Sequence, residues 1–224
     1  MRAPVRCFVC AALFAFAASL ASAQSQVDIG VGFGAAFDKS TGQGIDNLNS
    51  PTNAFGPCTP GSGDTYCQPT ASLNAFFLGI GGDILFTKHF GFGASVDIQP
   101  KTKNYGPLTE RQIFYDFDGV YQPYSSKRAQ LRLFGGVGGA RTSFGFNQSG
   151  CVGNNIACSS SNTPVGTDNH FDVNVGAGVQ LYVTDRIFVR PQFDFHYAPG
   201  LHNDFNSNAV PEFIVYVGFS GGGR

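Results

Sequence analysis

His196 stands two residues after Asp194, and Asp118 two residues after Asp116, in segments where apolar and polar residues alternate. A histidine sharing a surface with carboxylates can serve as a general base, as half of a nucleophilic pair, or as a metal ligand. Each chemistry asks for a further partner. A hydrolase built on His89, His170, His196 or His202 would need a hydroxyl or thiol within hydrogen-bond reach. No serine lies at a spacing that singles one out. His89 falls in a short turn, and His170 and His202 at loop edges. Asp194 and His196 are therefore expected to be a hydrogen-bonded pair on one strand face. No catalytic residue, cofactor site or metal site is expected. The run Gly135-Gly136-Val137-Gly138-Gly139 lacks the lysine and helix of a phosphate loop. No loop has the spaced aspartates of a calcium-binding hand.

Cysteine could also do chemistry. Of the six cysteines, Cys7 and Cys10 fall in the first 23 residues. That segment reads as a cleavable export signal. Arg2 and Arg6 precede an apolar stretch over 8–20, and Ala21-Ser22-Ala23 forms a small-residue cleavage site. The mature chain is expected to begin near Gln24. Cys58, Cys67, Cys151 and Cys158 remain, and export to an oxidising compartment makes disulfides the expectation. Four cysteines allow three pairings. Pairing within each close couple is the simplest, and the spacing, with no histidine close by, argues against zinc.

Removing Arg2 and Arg6 from the 14 basic residues leaves 12 against 15 acidic ones, so nothing invites nucleic acid. No later stretch reaches 18 consecutive apolar residues, which excludes a transmembrane helix beyond the signal.

The elements that must position these groups are strands. From Phe171 to Leu181 every odd residue is apolar and every even one is glycine or polar. Period two marks a strand whose faces meet different surroundings. Eight such stretches are predicted, at 27–37, 73–86, 90–98, 110–121, 129–144, 171–181, 187–196 and 212–219. The connections alternate between long (38–70, 100–109, 147–167, 199–208) and short. Strands of about ten residues with loops sorted by end suggest an all-β, eight-stranded, antiparallel up-and-down transmembrane barrel spanning 24–224.

A soluble barrel would turn its apolar face inward. Two features favour the reverse. The opposite face is rich in glycine, and it carries both signs of charge. Asp28, Asp83, Asp97, Asp116, Asp118, Asp172, Asp194 and Glu212 share it with Arg132, Arg190 and His196. These are expected to form a polar network filling a lumen too narrow to stay open. Pro191 cannot donate to a ladder, so a bulge or local distortion is expected there.

In strand count, loop asymmetry and the closing strand Phe213-Ile214-Val215-Tyr216-Val217-Gly218-Phe219, the chain resembles the small outer-membrane β-barrels of the OmpA transmembrane domain and OmpX/OmpW type. The resemblance covers 27–219. It implies a bacterial outer-membrane location, contact with outer-membrane lipids, and a monomer. It also implies a terminal strand, with Phe213, Val215, Val217 and Phe219 on one face, read by the barrel-assembly machinery. Five residues follow Phe219, whereas the family usually ends at the aromatic. The expected role is structural or surface-interacting through the loops, without catalysis. The rivals are a narrow OmpW-like channel and a lipid-modifying barrel enzyme.

Overall fold

The computed structural model describes residues 25–38, 72–105, 108–152, 157–205 and 207–222. The expected signal segment and Cys58 and Cys67 lie outside them. The barrel strands are β1 (Gln26–Phe37), β2 (Asn74–Leu85), β3 (Phe90–Ile98), β4 (Leu108–Ser125), β5 (Ala129–Val152), β6 (Ala157–Tyr182), β7 (Ile187–Tyr197) and β8 (Ala209–Gly222). All neighbours are antiparallel. β1 pairs with both β2 and β8, and β3 pairs with β4, so the sheet closes on itself. A closed sheet leaves no row of unpaired backbone groups, which a hydrocarbon environment demands.

The faces point as the alternation requires for lipid. Phe117 is 68% exposed, and Val31, Phe92, Phe171 and Val175 also face out. Asp28, Arg132 and Asp172 are buried in the interior. A soluble carrier would show the opposite arrangement.

At one end the connections are tight. Thr87 Oγ1 accepts from the backbone N–H groups of His89 and Phe90, and Thr184 Oγ1 accepts from those of Arg186 and Ile187. Ser126 Oγ does the same for Arg128 and Ala129. Each hydroxyl replaces a backbone acceptor in the turn.

The structure departs from the expected boundaries at the other end. The region expected as a loop over 147–167 is largely a ribbon. β5 and β6 stay paired from Ala129↔Leu181 to Val152↔Ala157, with one register shift at Phe144/Gly145. β7 accompanies β6 only to Val173↔Tyr197, so the ribbon runs well past its neighbour. The region expected as a loop over 100–109 includes a three-residue strand, Lys103–Tyr105, paired with the start of β4. The turn expected over 122–128 is shorter, because β4 continues to Ser125 after a register shift between Tyr121 and Tyr124. β8 continues past Phe219 to Gly222, opposite Gln26. At Pro191 the β6–β7 pairing lapses between Gly178↔Gln192 and Leu181↔Val189 and resumes in the same register. The missing donor therefore interrupts the ladder without a bulge.

Candidate functional site

The interior is the chemically dense part of the molecule, and it has three layers. Near the turn end, Arg132 reaches both Asp28 and Asp83, and Arg190 reaches Asp83. Around them Gln26 Nε2 donates to Asp28 (3.0 Å) and to the Tyr182 hydroxyl (2.9 Å). Gln180 Nε2 donates to Asp28 (3.2 Å) and Tyr182 (2.7 Å). The Arg190 guanidinium also lies over the Tyr216 ring, 5.1 Å from its centroid. Two carboxylates face two guanidiniums here.

The middle and upper lumen is acid-rich. Tyr216 donates to Asp97 (3.0 Å), Asn174 Nδ2 to Asp118 (2.8 Å), and Gln192 Nε2 to Asp194 (3.0 Å). His196 Nδ1 lies 2.6 Å from Asp172 Oδ2 and 3.9 Å from Asp116 Oδ2. Its Nε2 lies 3.2 Å from Glu212 Oε2. Phe114 stacks on the imidazole at 4.5 Å. Both oxygens of Asp116, Oδ1 of Asp172 and Oε1 of Glu212 are buried with no hydrogen-bond partner among the described residues. The expected Asp194–His196 pair is not the contact that forms. The imidazole turns to Asp172 and Glu212 on the neighbouring strands instead.

Strand register and glycine explain how these groups meet. Asp116 of β4 sits opposite Gly138 of β5, which sits opposite Asp172 of β6. Asp118, Gly136 and Asn174 form a parallel row. A Cβ on Gly138 would lie 2.4 Å from Asp116 Oδ1, and one on Gly136 2.5 Å from Asp118 Oδ1. The absent side chains let the β4 carboxylates lean across β5 towards β6.

The third layer closes the mouth. The segment after β7 turns at Gly200, whose φ of 94° is a left-handed conformation suited to glycine, into the short helix Leu201–Asn203. Leu201 and Phe205 are fully buried against Ala36, Leu73, Phe77, Phe114, Ala140 and Val210. Asp204 Oδ2 accepts from Nε2 of His170 on β6, at 3.1 Å, which anchors the plug. The segment expected as an exposed loop over 199–208 is thus partly an inward plug. Two large apolar residues after Pro199-Gly200 were the available signal.

Outside, Lys101, Arg111 and Arg141 are exposed and Lys103 half-buried on one quadrant of the loop-end rim. A groove of about 550 Å³ beside them is lined by Asn74, Phe76, Gln99, Lys101 and Lys103. The closing-strand residues Phe213, Val217 and Phe219 face out, as the alternation predicts. The backbones of Cys151 and Cys158 stand opposite one another near the ribbon tip.

Solved structures resemble this fold at low sequence identity. Ail, the attachment invasion locus protein of Yersinia pestis, in complex with the heparin analogue sucrose octasulfate, aligns with a TM-score of 0.51 and 11% identity, over 88% of this chain and 99% of that one. The outer membrane protein OprG of Pseudomonas aeruginosa gives 0.48 and 13%, over 89% and 97%. The N-terminal β-barrel domain of OprF from the same organism gives 0.43 and 13%, over 89% and 98%. No curated protein matches the sequence. The match to a family of known barrels is direct, running over residues 8–210. With its closed eight-stranded sheet, lipid-facing apolar belt and polar interior, the chain belongs to the outer membrane protein beta-barrel domain family.

Proposed function

We propose that this protein acts from the cell surface as a closed barrel that neither conducts solutes nor catalyses a reaction. The observation that carries this reading is the double filling of the lumen. Leu201 and Phe205 close the mouth with apolar side chains, and charged residues pack the space beneath. A solute path would have to cross both layers. His196 lies under the plug with Phe114 stacked on it, so a lipid substrate has no approach to its nitrogens.

On this reading the working parts are outside. The β5–β6 ribbon offers a long surface for a partner, and the cations at 101, 103, 111 and 141 suit the anionic headgroups of surrounding lipid. Cys151 and Cys158 close the ribbon tip and Cys58 and Cys67 close the first loop, each as a local disulfide. Residues 1–23 leave as a signal. The β8 face of Phe213, Val215, Val217 and Phe219 is what the assembly machinery reads, and the barrel works as a monomer.

Conductance in planar bilayers tests the central claim. The purified barrel should give no steady current steps, and a variant lacking 200–206 should stay closed as well, because the charged layer beneath the plug is untouched. Steady steps from the intact protein would replace this reading with a channel. Unchanged lipid A composition on expressing wild type and His196→Ala is expected, and a wild-type-dependent change would establish an enzyme.

A further inference from the structure

Asp116, Asp172 and His196 come from β4, β6 and β7, and one donor atom of each lies within 4.8 Å of the others. We propose that these three side chains bind one divalent first-row transition-metal cation of the zinc class, with Glu212 holding the imidazole in position.

Two carboxylates and an imidazole suit zinc, manganese or iron, whereas calcium and magnesium prefer all-oxygen sites. Geometry agrees. Donors around a tetrahedral zinc, each at about 2.1 Å, stand about 3.4 Å apart. The present Nδ1 separations of 2.6 Å to Asp172 and 3.9 Å to Asp116 bracket that spacing. Shifts of less than about 1 Å would place all three around one ion.

A metal-bound histidine commonly donates its other ring N–H to a carboxylate, which fixes tautomer and orientation. Nε2 of His196 faces Glu212 Oε2 at 3.2 Å, while Nδ1 faces the two aspartates. Phe114 stacks on the ring and restrains its tilt.

The unpartnered oxygens point the same way. Asp116 is 2% exposed, yet among the described residues neither of its oxygens has a hydrogen-bond partner, and Oδ2 is aimed at Nδ1 of His196. Oδ1 of Asp172 is likewise unpartnered. Buried polar atoms are ordinarily satisfied. A divalent cation would take up Asp116 Oδ2 and offset the excess of carboxyls in this layer. Gly138 supplies the room across which Asp116 approaches Asp172. Such an ion would tie β4 to β6 and β7 beneath the plug, and loading is expected during folding, before the mouth closes.

The test uses the full chain, refolded in detergent from urea with EDTA, with zinc, or with cobalt as a spectroscopic stand-in. After desalting, wild type should retain one zinc per barrel by mass spectrometry and unfold at a higher temperature than the EDTA sample. Asp116→Asn, an equal-volume change, should retain none and lose the difference. Asp97→Asn, in the same lumen but outside the cluster, should behave as wild type. Cobalt-loaded wild type should show the intense visible bands of a low-coordinate nitrogen–oxygen site. That reading stands even if a variant fails to fold. Zinc no higher than the buffer blank in wild type, equal retention by Asp116→Asn, or a cobalt spectrum of the hydrated ion alone would each overturn the site and leave protons as the charge compensation. None of these results bears on conductance, so the site and the closed-barrel reading fail separately.

Discussion

The two polar layers of the lumen lie one above the other in the same barrel, drawn largely from different strands, and solve the same problem differently. Near the turns, Asp28 and Asp83 are met by Arg132 and Arg190, and amides from Gln26 and Gln180 take up remaining lone pairs. Nearer the mouth, Asp116, Asp172 and Glu212 share the single imidazole of His196 within ion-pair distance, and Asp97, Asp118 and Asp194 accept from the neutral donors Tyr216, Asn174 and Gln192. Ion pairs enclosed in an apolar shell hold together only when charge and hydrogen bonds both balance. The turn-end layer meets that condition with its own side chains. The mouth-end layer cannot, so protons or a bound cation must complete it. One layer is a finished structural lattice. The other is open to chemistry.

Removing one cation should separate the layers most strongly. Arg132→Met leaves Asp28 without its guanidinium in a dry interior, and a broken buried pair costs about 3–5 kcal/mol. Denaturant unfolding of the refolded barrel should show a loss of that size. Asp116→Asn in EDTA removes one acid from the crowded layer while keeping its volume. Its unfolding free energy should stay within about 1 kcal/mol of wild type, on the stabilising side, because like charges disfavour one another's ionisation. Comparable losses from both variants would erase the distinction between the layers.

A smaller effect tests the glycine rows that assemble the mouth-end layer. In Gly138→Ala the new Cβ would lie 2.0 Å from the Tyr115 carbonyl oxygen and 2.4 Å from Asp116 Oδ1. Forcing an atom into packed space costs about 1–3 kcal/mol. In Gly135→Ala on the same strand the nearest atom is 3.4 Å away, an ordinary contact. That change should stay within about 0.5 kcal/mol of wild type. Equal effects in the same unfolding assay would mean that β5 does not hold Asp116 and Asp172 at their present approach.

Much of this was legible in the sequence, and the exceptions have a common cause. Alternation at residues such as Phe171 to Leu181 places each strand's inner and outer faces correctly, because period two is a local property. It also places Asp28, Asp83, Arg132 and Arg190 inside. It does not say which of them touch, since that depends on register between strands far apart in sequence. The Asp116–Gly138–Asp172 row is invisible until β4, β5 and β6 are aligned. The ribbon was hidden for a related reason. Its serines, asparagines and glycines have loop-like propensities, and cross-strand pairing overrides them. Gly176 shows the limit at one residue. Its inward direction is plain, but not that a Cβ there would meet the Phe134 ring at 2.3 Å.

The smallest effect concerns how the mouth-end layer is capped. The lipid-facing apolar run begins at Phe171 on β6 and Ile113 on β4, so His170 and Glu110 lie beyond it, beside the plug. The hydrogen bond to Asp204 is the main cause raising His170 above its ordinary value, helped by the charges of Asp204 and Asp168 and opposed by burial. The charged form therefore favours the seated plug below about pH 6.5, and this contribution fades as pH rises through the raised value. Glu110 acts in the same direction. Burial pushes it up to about 8 despite nearby Lys103, so ionising it costs stability between its ordinary range and about pH 8. Burial raises Asp168 too, with the same sign. The plug should therefore loosen steadily over the interval from about pH 4.5, the ordinary value of a glutamate, to about pH 8, the raised value of Glu110. Chymotrypsin cleavage at Leu201 or Phe205, normalised to an unfolded substrate at each pH, should accelerate several-fold across it. His170→Gln should flatten the part of that rise above about pH 6.5, and Glu110→Gln the part up to about pH 8, including the acid half where His170 does not yet contribute, while Asp116→Asn should leave the profile unchanged. A profile shifted by Asp116→Asn would mean that the cap and the acid layer beneath it titrate as one unit rather than two.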